Sequence, residues 1–148
     1  PGLVAEKLFD NTFVPVCSPH LGLRNVADLP KHPLIHFRAQ AALSAPIHWA
    51  SWQKLANVPG LDVSAGLVFS DETHAISAAI GAQGVALMSR QLIEDELREG
   101  RLVQPFGPEM GGKPFHLVYP EGRRDDPTVR AVREWVMAVP GGLCELTG

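Results

Sequence analysis

Apolar residues along the chain alternate between short runs of strand length and stretches with helical spacing. Strand-like runs occupy residues 3–9, 12–17, 33–37, 63–69, 85–88, 101–105 and 115–119. Between two of them, Trp49, Trp52, Leu55 and Ala56 recur at three- and four-residue intervals, which predicts one buried helix face. Strands that alternate with helices indicate an α/β sheet, largely parallel and covered on both faces.

Capping residues delimit the other predicted helices. Ser70 is expected to cap one helix and Gly84 to end it, with an apolar stripe formed by Ile76, Ala79, Ile80 and Gln83. Ser89 is expected to cap a second helix, stopped by Gly100, whose buried positions are Leu92, Ile93 and Leu97. Asp126 and Pro127 suit the start of a last helix, whose inner face is Val129, Val132, Val136 and Val139.

Composition narrows the class of protein. The 148 residues are 45% hydrophobic and carry 13 Lys plus Arg against 16 Asp plus Glu, a net charge of -3, with the basic residues scattered along the chain. Such a surface argues against nucleic-acid binding by this segment. No apolar run reaches the roughly 18 residues needed to span a bilayer. Cys17 and Cys144 lie far apart without a CxxC partner, so reduced thiols and a cytoplasmic location are expected.

The sequence offers little evidence for a catalytic or metal-binding site. His32 and His36 are four residues apart, but Pro33 between them excludes a helical metal-binding face, so no metal and no other cofactor is expected. No serine lies in a GxSxG turn, and the chain is predicted not to be an enzyme. A small hydrolase with a dispersed Ser/His site, for which Ser70 and His74 are candidates, remains an alternative.

Several segments, in this order, resemble the effector-binding domain of LysR-type transcriptional regulators, especially the branch that contains the glycine-cleavage activator. The matching segments are residues 13–19, 28–29, 32–35, 69–71, 78–87, 100–103 and 117–120, together with Trp49, Trp52 and Trp135. The resemblance implies a fold like that of type 2 periplasmic binding proteins, in which two α/β subdomains clamp a ligand. A solute-binding protein of a transporter, with the same fold, is a second alternative.

The resemblance also implies a domain organisation. Residues 14–119 correspond to a complete second subdomain whose hinge strands are residues 14–19 and 117–120, and residues 1–13 and 120–140 correspond to a partial first subdomain. Residues 141–148 are expected to form a flexible tail. Strand 3–9 and the last helix would then expose an apolar face, for which swapping, dimerisation or disorder is expected.

The resemblance implies that the chain is a sensor that binds a small-molecule effector between its subdomains, and an anionic metabolite is the expected class of effector. It would control transcription by a longer, homo-oligomeric parent protein that contacts DNA only through an N-terminal helix-turn-helix outside this chain. The expected effector-binding residues are Arg38, Gln40, Ser70, Asp71, Thr73, Ser89 and His116. Among them Arg38 could pair with a carboxylate through two hydrogen bonds, and Ser70 and Ser89 precede helix N-termini that favour anions.

Overall fold

The computed structural model describes residues 2–38 and 47–138. They form two compact units. The larger unit is Thr12–Gly111, and the smaller unit contains the described parts of Pro1–Asn11 and Gly112–Gly148. The larger unit is therefore one continuous stretch of chain, inserted between the two segments that build the smaller unit.

A five-stranded mixed sheet forms the centre of the larger unit. In spatial order its strands are β4 (Leu67–Phe69), β3 (Leu34–Phe37), β5 (Val85–Ser89), β2 (Thr12–Val16) and β6 (Met110–Gly111). Strand β3 runs parallel to both β4 and β5, whereas β2 runs antiparallel to β5 and β6. The predicted α/β sheet is confirmed; it is mixed, and three of its five strands, β4, β3 and β5, run parallel to one another.

In the described part of the larger unit, three α-helices and several short 3-10 turns accompany this sheet. The helices are α1 (Trp49–Ala56), α2 (Glu72–Ile80) and α3 (Glu94–Arg98). Trp49 and Trp52 are buried as predicted, and their indole N–H groups donate to the carbonyls of Ile35 and Pro108 at 3.0 and 2.9 Å. The prediction for Leu55 is wrong, because α1 buries Trp49 and Trp52 and leaves the Leu55 side chain 55% exposed.

Helix α2 begins and ends at residues other than those predicted. Asp71, not Ser70, is the N-cap, because its carboxylate accepts the backbone N–H of His74 at 3.1 Å. The helix ends at Ile80 with Gly81 as the C-cap, and Ala82 takes the left-handed conformation with φ 58°. Gly84 therefore lies beyond the helix end, at the entrance to β5.

Several other local predictions are also corrected. The predicted strand 63–69 is shorter, since β4 begins at Leu67. The predicted strand 101–105 is only a single bridge between Val103 and Cys17. Ser89 precedes the 3-10 turn Arg90–Ile93 without a side-chain capping bond, and Leu92 is 49% exposed because this turn, rather than an α-helix, carries it.

The smaller unit is an antiparallel ribbon with one helix. Strand β1 (Leu3–Phe9) pairs with β7 (Phe115–Pro120), so that Leu3 lies opposite Pro120 and Phe9 opposite Phe115. Helix α4 (Pro127–Ala138) follows, and Asp126 accepts the backbone N–H of Thr128 at 2.8 Å, as expected of a cap.

Few side chains of the smaller unit are buried. The predicted inner face of α4 is wrong in part, because none of its described residues is fully buried and Val132 is 48% exposed. Val139 lies outside the described residues, as does the predicted tail 141–148. The large apolar side chains that are exposed in the described part of this unit are Leu3, Phe115, Val118, Val132, Trp135 and Met137.

Candidate functional site

The three parallel strands of the larger unit end at one edge of the sheet, called here the carboxyl edge. Arg38 follows β3, Ser70 follows β4, and Ser89 is the last residue of β5. In parallel α/β sheets the ends of the strands leave a crevice in which ligands bind, because helices and loops diverge there. The fold thus brings together polar residues that are widely separated along the chain.

Arg38 and Ser70 are neighbours across this edge. The register pairs Phe37 with Phe69, and the backbone N–H of Arg38 donates to the carbonyl of Phe69 at 2.9 Å. The Arg38 side chain is exposed, and within residues 2–38 and 47–138 no acceptor or carboxylate pairs with its guanidinium. A guanidinium in this state can bind a carboxylate or phosphate without first breaking an ion pair.

The first turn of α2 lies directly after Ser70. Ser70 and Thr73 are exposed, whereas the Asp71 carboxylate is engaged by the helix backbone. Glu72 is partly buried, and this burial, together with the neighbouring Asp71 charge, raises the pKa of its carboxyl group. The Asp71 contact is to the main chain of His74 rather than to its imidazole ring, so it does not form the relay that a hydrolase would use.

Ser89 is buried and belongs to a small hydrogen-bonded group at the same edge. Its hydroxyl donates to Oε1 of Gln91 at 3.4 Å, and the same oxygen accepts the backbone N–H of Thr12 at 3.4 Å. Sequence reasoning missed Gln91 and Thr12. The two are 79 positions apart, and only the antiparallel pairing of β2 with β5 brings them together.

Two further residues were expected in the site. His116 lies on β7 in the smaller unit, where it is exposed and its Nδ1 is 3.1 Å from the carbonyl oxygen of Pro114. Gln40 lies outside the described residues. The carboxyl edge therefore carries five of the expected residues, which are Arg38, Ser70, Asp71, Thr73 and Ser89.

Other chemistry is sparse in the described part of the chain. Within these residues, no group of three or more His, Cys, Asp or Glu side chains could hold a metal ion. Burial raises the pKa of the Cys17 thiol to about 11, so it stays protonated at neutral pH. No helix in residues 2–38 and 47–138 is long and apolar enough to cross a membrane.

Comparison with protein families decides what kind of domain carries this edge. The family described as the LysR substrate binding domain matches residues 1–140. The chain belongs to this family. The resemblance to LysR effector-binding domains, which the sequence motifs indicated, is confirmed. The carboxyl edge is therefore part of a LysR substrate-binding domain.

Curated relatives of this LysR domain are transcriptional regulators. The glycine cleavage system transcriptional activator of Escherichia coli (strain K12) is 33% identical over 144 residues, which are 93% of this chain and 45% of that protein. The HTH-type transcriptional regulator DsdC of the same strain is 35% identical over 111 residues, covering 71% of this chain and 35% of its own length. The chain thus spans less than half the length of these relatives.

Solved structures agree with the LysR fold. The AmpR effector domain of Pseudomonas aeruginosa has a TM-score of 0.71 at 24% identity and covers 92% of this chain and 64% of its own. The AmpR effector-binding domain of Citrobacter freundii has a TM-score of 0.72 at 23% identity, with 92% and 66% covered. These likenesses confirm the predicted fold class, that of LysR effector-binding domains.

Proposed function

We propose that this LysR domain is the sensor of a transcriptional regulator and that it binds a small anionic metabolite at the carboxyl edge. The ligand would favour one arrangement of the domain, and the resulting shift in population would be passed to the DNA-binding part of the parent protein. No bond needs to be made or broken for this function. The relatives, whose names describe them as transcriptional regulators, support the regulatory part of the proposal.

The state of Arg38 is the observation that supports the anionic ligand. Its guanidinium is exposed at the strand end and is not paired with any described carboxylate, while the Ser70 position beside it offers a hydroxyl. Guanidinium groups bind carboxylates through two parallel N–H···O bonds, and a hydroxyl adds a third donor. The further effector-binding residues that we propose are Gln40, Thr73, Ser89 and His116.

The proposal includes the setting of the parent protein. We infer that the parent acts in the cytoplasm as a homo-oligomer, that it contacts DNA through a segment outside this chain, and that the domain is not an enzyme. Use of the Asp71 carboxylate as a helix cap supports the last point, because it occupies the acid that a Ser/His/Asp site would need.

Thermal unfolding in the presence of candidate effectors tests the sensor function. A ligand that binds only the folded chain raises its stability, by about 2.7 kcal/mol at a concentration of 100 times Kd. We expect one class among amino acids, carboxylates and sugar phosphates to raise the Tm of the wild-type chain, and Arg38→Ala to abolish most of that rise.

Arg24→Ala is the matched control for this measurement. Arg24 is also exposed and has no side-chain ion pair among the described residues, but it lies between the 3-10 turns Pro19–Leu21 and Val26–Lys31, away from the carboxyl edge. It should leave the ligand-induced rise intact. An equal loss of the Tm rise in the two variants would show that the anion binds through general surface charge, and the proposed site would be rejected.

A further inference from the structure

At the end of the β2–β5 ladder, a side-chain oxygen accepts a hydrogen bond that a main-chain carbonyl would otherwise accept. The last pair of these strands is Phe13 with Ser89, and Thr12 lies one residue beyond it. After Ser89 the chain turns away into the 3-10 turn Arg90–Ile93, so β5 no longer supplies a carbonyl to Thr12. Oε1 of Gln91 accepts the Thr12 N–H instead, which extends the ladder by one bond.

The same oxygen also binds the edge of the sheet. Oε1 of Gln91 accepts the hydroxyl of Ser89, whose residue is only 2% exposed. One atom therefore joins the last residue of β5 to the first residue of β2. Any displacement of the Ser89 hydroxyl changes the environment of the Thr12 amide through this shared acceptor.

Thr12 is also the point at which the chain enters the larger unit. Asn11 belongs to the smaller unit, and its carbonyl accepts the N–H of Gly112, where the chain re-enters that unit, at 2.8 Å. A restraint on Thr12 therefore acts next to Asn11, and Asn11 is hydrogen-bonded to Gly112, where the chain returns to the smaller unit. A shared hydrogen-bond acceptor can link two sites when each site biases its geometry.

From this arrangement we propose that Gln91 is a positioning residue that couples the carboxyl edge to the chain passage at Thr12. The inference rests on the proposed anion site, and it adds the route by which occupancy of that site reaches the connection to the smaller unit. Gln91 need not touch the anion. It acts by holding Ser89 and Thr12 together when the site at Arg38 and Ser70 is filled.

Amide hydrogen exchange without any added ligand tests the structural half of the proposal. Gln91→Met keeps the length of the side chain but removes the acceptor, and we expect the Thr12 amide to exchange about tenfold faster. The amides of Val14 and Val16 should keep their protection. Gln91→Glu retains an oxygen at this position and should restore slow exchange at Thr12. Unchanged exchange in Gln91→Met overturns the proposal.

A titration with sodium acetate, followed by amide chemical shifts, tests the coupling. Acetate is the simplest carboxylate, and sodium chloride at equal ionic strength is the reference. In the wild-type chain we expect shifts at Arg38, Ser70 and Thr12. In Gln91→Met the shifts at Arg38 and Ser70 should persist while the Thr12 shift is lost, and Gln91→Glu should recover it. Gln83→Met, at an exposed glutamine before β5, should behave as wild type.

The outcomes separate the two proposals. If Arg38 and Ser70 do not respond to acetate, the anion site is wrong and the coupling is rejected with it. If they respond while the Thr12 amide shift does not change in the wild-type chain, only the role of Gln91 is rejected. The same holds if the Thr12 amide shift changes equally in Gln91→Met. Retained shifts at Arg38 and Ser70 with a selective loss at Thr12 support both proposals.

Discussion

Gly84 lies where the chain enters β5, in close contact with another backbone segment. A Cβ at this position would lie 2.4 Å from the carbonyl oxygen of Pro33, far inside van der Waals contact. The backbone N–H of Val85 donates to the same oxygen at 2.9 Å, so the two segments cannot separate without losing a hydrogen bond. Glycine is required here by this close approach and not by a left-handed conformation.

Gly84→Ala is therefore expected to destabilise the larger unit. The new methyl group must displace backbone atoms next to the core, and overpacking of this kind costs about 3 kcal/mol. Urea denaturation at neutral pH measures the change. Gly111→Ala is the control, since a Cβ there has no atom within 4 Å and should change the stability little. Similar free energies of unfolding for the two variants would contradict this explanation.

At the scale of single residues, helix ends and side-chain exposure could be predicted from the sequence only in part. Two glycines, Gly81 and Gly84, lie near the end of α2, but the C-cap is Gly81, whereas the predicted Gly84 is required by its close approach to Pro33. Ser70 and Asp71 are both good capping residues, and only the structure shows that the Asp71 side chain accepts the backbone N–H of His74. Leu55 and Leu92 show that an apolar residue in the right segment can still face solvent.

At the scale of elements, one carboxylate links both strands of the smaller unit to its helix. Glu6 on β1 accepts a hydrogen bond from the hydroxyl of Tyr119 on β7, and Nε of Arg133 on α4 donates to both its oxygens at 2.9 and 2.7 Å. The hydrogen bonds from Tyr119 and Arg133 lower the pKa of Glu6, and the Glu6 hydrogen bond raises the pKa of Tyr119. Three elements that share little buried surface are joined at this point.

The stability of this unit should therefore depend on pH on the acid side. Since the folded pKa of Glu6 is below its ordinary value of 4.5, its contribution is complete above that value and is lost as the pH falls through the folded pKa. We expect Glu6→Gln to speed amide exchange in β1 at pH 7, with a difference from wild type that shrinks as the solution is acidified.

Glu121→Gln is the control for this pH dependence. The Glu121 side chain is exposed in the same unit and pairs with no described residue. This variant should follow the wild-type profile. A difference between wild type and Glu6→Gln that stays constant down to strongly acidic pH would remove Glu6 as the titrating group.

At the scale of elements, part of the candidate site could be predicted from the sequence. Residues that follow strands can be recognised from the pattern alone, and the structure gathers five of the seven expected residues at one edge. The Gln91 link could not be predicted, because it depends on the register of β2 with β5 and on where β5 turns away. His116 was expected from the family resemblance and lies in the other unit.

Across the whole molecule, buried apolar surface is distributed unevenly. The larger unit has two hydrophobic clusters, one around Val14, Ile35 and Met88 and the other around Trp49 and Trp52. In the described part of the smaller unit, Tyr119 is the one buried hydrophobic side chain. Because burial of apolar surface dominates stability, the two units should differ in their resistance to unfolding.

We accordingly expect unfolding in two steps. Amides of β1 and β7 should lose protection from hydrogen exchange at a lower urea concentration than amides of β3 and β5. Exchange at increasing urea, read by mass spectrometry of peptides from each unit, provides the measurement. A single transition shared by all four strands would mean that the smaller unit gains its stability from another source.

The insertion of the larger unit between β1 and β7 also fixes the order of events during synthesis. Strand β1 leaves the ribosome before the larger unit, and its only described partner, β7, is made after it. At about 5–20 residues per second, β1 must wait on the order of 5–20 s for its partner. The larger unit can fold in that interval, so the nascent chain holds a finished sheet beside an unpaired apolar strand that chaperones can recognise.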